Sequence, residues 1–143
     1  MENPPPAPAS PPPLVHRSGH PQTDVNMAMW CHLIPVIASM MGFGFFAFLG
    51  PLIIRQQTQG RSAFVDQHAK ESLNFQLSML LYLAVLGVIS VVGLIVTFGL
   101  AFFILIPGFL VIAVGALVLE IIATVKATNG EYFDYKVSIR FIK

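Results

Sequence analysis

The 143 residues are 55% hydrophobic and only 10% charged, where a soluble domain carries about 25% charged residues. Net charge is +1, from eight Lys and Arg against seven Asp and Glu. That balance excludes an ordinary soluble globule, and it lacks the dense basic face interleaved with aromatics that a nucleic-acid partner requires.

The chain opens on Met1 to Pro13, which holds seven prolines and no apolar run. Proline fixes φ and lacks an N–H, so this segment is expected to be a solvated, polyproline-like, disordered tail reaching to about Asp24. Pro5 to Pro8 and Pro8 to Pro11 match PxxP, a pattern that so proline-rich a spacer produces by itself. With neither a basic n-region nor an apolar h-region, it does not read as a cleavable signal. Insertion must rely on the internal spans. His16 and His20 read as solvated tail residues. Residues 25–143 then form the membrane domain.

Val25 to Ile54 is uncharged, with His32 its only titratable side chain apart from Cys31. About 20 apolar residues cross a bilayer core of about 30 Å, so this run predicts a first span over about 26–54, with Trp30 near an interface. His32 reads as a hydrogen-bonding residue near the outer end. Pro35, Gly42, Gly44, Gly50 and Pro51 interrupt the helix, and in lipid the freed carbonyls must be satisfied by neighbouring helices. A lone Cys31 excludes an intramolecular disulfide and reads as a small buried residue.

Arg55 to Gly60 forms a polar loop, and Ser62 is the expected N-cap of an interfacial amphipathic helix over 62–72. Phe64, Val65, His68, Ala69 and Ser72 share one face of it, with Asp66, Gln67, Lys70 and Glu71 on the other. From Ser72 to Leu119 follow 48 residues without a single Asp, Glu, Lys, Arg or His. That is the length of two spans, placed at about 73–96 and 100–128 with a turn at Gly99 and a kink at Pro107. Asn129 and Gly130 end the last helix. In the remaining tail Phe133, Tyr135, Val137, Ile139 and Phe141 alternate with polar residues, which predicts an extended segment.

The fold class expected is therefore an all-α integral membrane protein with three transmembrane helices, one interfacial helix and a short extended C-terminal tail. Three crossings place Arg17 on one side and the other seven basic residues on the opposite side. The positive-inside rule then puts the C-terminus in the cytoplasm and the N-terminus outside a bacterial plasma membrane.

No motif of hydrolytic, phosphate-binding or metal chemistry occurs, so no catalytic, cofactor-binding or metal residues are assigned. What remains is polar chemistry at membrane depth. His68, Lys70, Glu71 and Asn74 carry polar groups from the interface into the second span, and Glu120 lies within the third. With His32, these are the candidate interaction or polar-path residues.

Trp30-Cys31-His32-Leu33, Gly50-Pro51-Leu52-Ile53, Phe64-Val65-Asp66 leading into Lys70-Glu71-Ser72-Leu73-Asn74-Phe75, and Ala127 with Asn129-Gly130 before a tyrosine-bearing tail carry a family resemblance. Over about Val25 to Lys143 the chain resembles a widespread group of small bacterial multi-pass membrane proteins, mostly of unknown function. That group includes magnetosome-membrane proteins linked to magnetite crystal growth, and it is similar, more distantly, to the Tic channel subunit of plastid import. The resemblance supplies no catalytic residues, and the chain has no acidic tail suited to iron. It implies a structural or interaction component of a membrane assembly. The expected partners are the lipid bilayer and either a second copy or other membrane proteins. The alternative is a component of a transport or protein-translocation channel whose polar path involves Lys70, Asn74 and Glu120.

Overall fold

The computed structural model describes residues 14–143. Met1–Pro13 lies outside them; the rest of the stretch expected to be a disordered tail to about Asp24 is ordered, with Val15 bridging Pro21, His20 stacked on Phe64 with ring centroids 4.2 Å apart, and a helix beginning at Gln22. Four helices account for the fold: α1 (Gln22–Met40), α2 (Leu49–Thr58), α3 (Ala63–Val96) and α4 (Phe102–Thr128), with a single 3-10 turn at Gly44–Phe46. Among the described residues there is no strand.

The first apolar run does not cross. α1 ends at Met40, Gly42 takes φ +83°, and the chain reverses so that α2 returns along α1. The return is close: a Cβ on Gly50 would sit 2.5 Å from Cγ2 of Ile34. Ile54 of α2 packs on the cluster of Cys31, Val65 and Ala69, and Arg55 reaches Asp66 of α3 at 3.1 Å. The expected 26–54 span is thus a helical hairpin. Hydropathy cannot separate the two, since a hairpin dipping into lipid is as apolar as a crossing.

Pro35 shows how the hairpin is held. Its missing N–H leaves the carbonyl of Cys31 without a helical donor, and the Ser72 hydroxyl of α3 supplies one at 2.7 Å. The neighbouring helix satisfies the freed group, as the proline requires.

α3 is continuous over 34 residues, about 51 Å at 1.5 Å per residue. The interfacial helix expected over 62–72 is its first turns and not a separate element. Ser62 caps it, accepting from the Val65 N–H at 3.3 Å. Phe64, Val65, His68, Ala69 and Ser72 are buried as their shared face predicts, but so is Glu71.

Two helices, α3 and α4, are long and apolar enough to cross a membrane. The most apolar windows of the two are only 6% and 0% buried, so they cannot be the core of a soluble protein. They are joined by a turn at Thr97–Ala101, where Phe98 takes φ +52°, Gly99 takes φ +90°, and the Thr97 hydroxyl caps Ala101 N–H at 2.9 Å. Pro107 lies within the first turns of α4.

With α3 and α4 forming one antiparallel pair, the flanks come together. Val15, His16, Arg17 and Gln22 line one depression with Thr128 and Asn129, and Ser18 lies against Gly130. The N-terminal flank and the C-terminal tail therefore leave from the same end of the bundle, which overturns the expectation of opposite sides. Arg17 joins Arg55, Arg61, Lys126 and the other basic residues near that end, while Lys136 lies on the tail turn further along α3.

The α3–α4 turn yields a direct check. Replacing Gly99 by Val forces a β-branched residue to positive φ and should cost about 1 kcal/mol or more. The same change at Gly108, where a Cβ meets nothing within 4 Å, should leave thermal unfolding in detergent unchanged.

Candidate functional site

The polar side chains of α3 hold the chain's own tail. Glu71, Asn74, Ser78 and Tyr82 recur at spacings of three and four, which places them on one stripe of the helix. Each bonds the tail backbone. Glu71 Oε2 accepts from Tyr135 N–H at 3.2 Å. The Asn74 amide accepts from Ile142 N–H at 2.8 Å and donates to its carbonyl at 3.0 Å. Ser78 Oγ accepts from Ile139 N–H at 2.6 Å, and the Tyr82 hydroxyl donates to the Val137 carbonyl at 2.8 Å. The tail therefore dips along α3 to the level of Tyr82 and turns back between Tyr135 and Ser138, where Ser138 N–H donates to the Tyr135 carbonyl at 3.1 Å. Arg140 closes the arrangement by pairing with Glu71. Backbone pressed against a lipid-facing helix has no water to bond, and the stripe replaces it. The tail is not the single extended segment its alternation predicts: it turns at Lys136–Val137, it is not a strand, and its backbone partners on α3 are side chains.

The turn drives Tyr135 inward. It is 1% exposed, stacked on Phe75 with ring centroids 4.1 Å apart and met edge-on by Phe133. Its hydroxyl lies 3.0 Å from His32 Nδ1, and His32 Nε2 lies 3.0 Å from His68 Nδ1. The result is a buried chain, Tyr135–His32–His68, that links the tail, α1 and α3. Two facing ring nitrogens at that distance must share one proton between them, so the tautomers of both histidines are set together. His68 Nε2 is buried at the far end of the chain and has no hydrogen-bond partner among the described residues. Phe64 and Tyr132 enclose the His68 ring.

Glu120 of α4 is buried and accepts from the Gln76 amide. Its side chain lines a cavity of about 640 Å³ bounded by α3, α4 and the tip of the α1–α2 hairpin at Ser39, Gly44 and Phe45. Lys70 faces outward and pairs with Asp66 at 2.7 Å.

Of the six residues singled out from the sequence, the structure joins His32 to His68 and Glu71 to Asn74, the latter through the tail. It leaves Lys70 on the outer face and Glu120 with Gln76. Lys70, Asn74 and Glu120 do not line one path. Sequence reasoning missed Tyr135, Ser78 and Tyr82 as partners. The recurrence of polar groups at 71, 74, 78 and 82 was a usable signal, but His32 and His68, 36 residues apart, carried none. Among the described residues no three His, Cys, Asp or Glu side chains converge as a metal set.

Loosening the tail should separate its anchors from ordinary surface pairs. Asn74→Leu removes two bonds and strands the Ile142 peptide, so a loss of about 1–3 kcal/mol and faster amide exchange at Ile139 and Ile142 are expected in hydrogen-exchange measurements. Lys70→Ala, which breaks an exposed pair, should cost about 0–1 kcal/mol and leave those amides protected.

A family model for magnetosome magnetite crystal formation proteins matches residues 23–142. No curated protein and no solved structure matches the chain. The more distant likeness to the Tic channel subunit, and the breadth of the group it was set in, thus find no support among the matches.

Proposed function

The chain belongs to the magnetosome magnetite crystal formation protein family, and on that premise we propose that it is a non-enzymatic structural component of a membrane assembly that serves crystal formation. One observation carries the reading. The polar stripe that could have served a substrate is taken up by the chain's own tail. What it leaves to others is one charged end and two apolar helices. The charged end offers Arg61 and Lys143, which make no ion pair among the described residues. Association with a second copy or with other membrane proteins through that end fits this distribution. The transport alternative needs Lys70, Asn74 and Glu120 on one route, and their separate engagements argue against it.

Orientation follows from the same end. Basic residues gathered at that end, with none at the Thr97–Ala101 turn, favour a cytoplasmic placement of that end under the positive-inside rule, with the turn across the bacterial membrane. Reporters fused at Met1 and after Lys143 should both be cytoplasmic. Opposite placement would restore three crossings and remove the basis of the reading.

The association itself is tested in native magnetosome membranes. Arg61→Glu combined with Lys143→Glu should sharply reduce cross-linked recovery of partners or of a second copy, with thermal unfolding unchanged. Undiminished cross-linking would show that the charged end is only a solvated face.

A further inference from the structure

The bundle is far wider at one end than at the other. All residues buried in α3 except Ser90 lie between Phe64 and Ser78, and those buried in α4 are Glu120, Ala123 and Ala127. Around those turns pack α1, α2 and the tail. Beyond them the crossing helices run on alone. The tip of the α1–α2 hairpin, at Ser39, Gly44 and Phe45, lines one cavity with Leu80 to Ala84 of α3, which sets its depth. From Ala84 to Val96, α3 continues for about 18 Å with nothing beside it but α4. The tip belongs in hydrocarbon, because Met40, Met41, Phe43, Phe45 and Phe46 are all more than half exposed. It therefore sits in the leaflet nearest the charged end and stops near mid-bilayer.

Cross-sections follow. A helix with its side chains is about 10–12 Å across, so each occupies about 80–110 Å² of a leaflet. The near leaflet holds four helices and part of the tail, and the far leaflet holds two. A cavity of about 640 Å³ lies beside the hairpin tip between α3 and α4, running from Gln76 and Glu120 toward Ala84 and Phe109. It is lined almost wholly by apolar side chains such as Leu83, Phe109 and Ile112, a surface suited to acyl chains.

We infer that this chain is a membrane-curvature wedge whose α1–α2 hairpin expands the leaflet at the charged end, so that the bilayer bends convex toward that end. The partner is the lipid bilayer itself. Given the cytoplasmic placement proposed above, the bend bulges into the cytoplasm. The wedge does not depend on that placement, nor on any protein partner.

The test uses the full chain, labelled at its C-terminus, in phosphatidylethanolamine–phosphatidylglycerol vesicles of mixed diameter. Protein density per membrane area is read vesicle by vesicle, and orientation is sorted by protease access to the tail. Chains with the charged end outward should be severalfold denser on the smallest vesicles than on the largest. Chains with that end inward should show the reverse slope. The triple variant Phe43→Ser, Phe45→Ser, Phe46→Ser, which draws the tip out of lipid while α3 and α4 stay inserted, should flatten both slopes. Equal density at all diameters, or one slope for both orientations, would overturn the wedge. The opposing slopes of the unaltered chain decide the matter even where the variant fails to insert. Because no partner is present, a failure here leaves the association reading intact, and the converse holds.

Discussion

Everything in this structure depends on one constraint: a backbone N–H or C=O in hydrocarbon must find a partner inside the protein, at several kcal/mol for each failure. Regular helices meet it by themselves, which is why α3 and α4 can run bare through lipid. Irregular segments need help, and two of them, the proline break in α1 and the tail, find it on α3. Ser72 serves the carbonyl that Pro35 frees, and Glu71, Asn74, Ser78 and Tyr82 serve the tail. The polar side chains at the start of α3 are thus a template on which a broken hairpin and an extended tail become permissible next to a membrane.

The same template fixes a unique arrangement. Apolar packing alone would let the hairpin slide along α3, since Leu, Val and Phe surfaces are tolerant of register. The chain Tyr135–His32–His68 is not tolerant, because a slide of one turn would leave two imidazoles and a phenol unpaired in a dry interior. Its hydrogen bonds contribute positional specificity more than net stability. It also ties the C-terminal tail to the first helix.

How much of this could be read from the residues depends on the range of the interaction concerned. The 48-residue uncharged run, its division at Gly99, and the cap at Ser62 are local, and the chain states them locally. Pro35 announces that some neighbour must donate to a carbonyl, though not that Ser72 is the donor. The reversal after Met40 was the serious loss. Glycines at 42, 44 and 50 permit either a loosened span or a hairpin, and only the contact of Gly50 with Ile34 decides between them. Counting that run as a crossing separates Arg17 from the C-terminal end of α4, whereas the structure places it beside Thr128 and Asn129. The tail suffered similarly. Its alternation implied an extended segment, but an extended segment can be satisfied by a strand or by side chains, and periodicity does not distinguish the two.

Charge and shape in this chain have a common origin. A helix pair with no Asp, Glu, Lys, Arg or His between Ser72 and Leu119 carries no charge at its turn, where only the Thr97 hydroxyl caps and Phe98 is 97% exposed. All charges must then gather at the opposite end, together with the segments that need polar partners. Those segments are the hairpin and the tail, and they add bulk only where the partners are. A sequence that segregates its polar groups to one end of two apolar helices thereby becomes broad at that end and narrow at the other. The asymmetry needs no special device: it follows from where the hydrogen-bond partners can be placed.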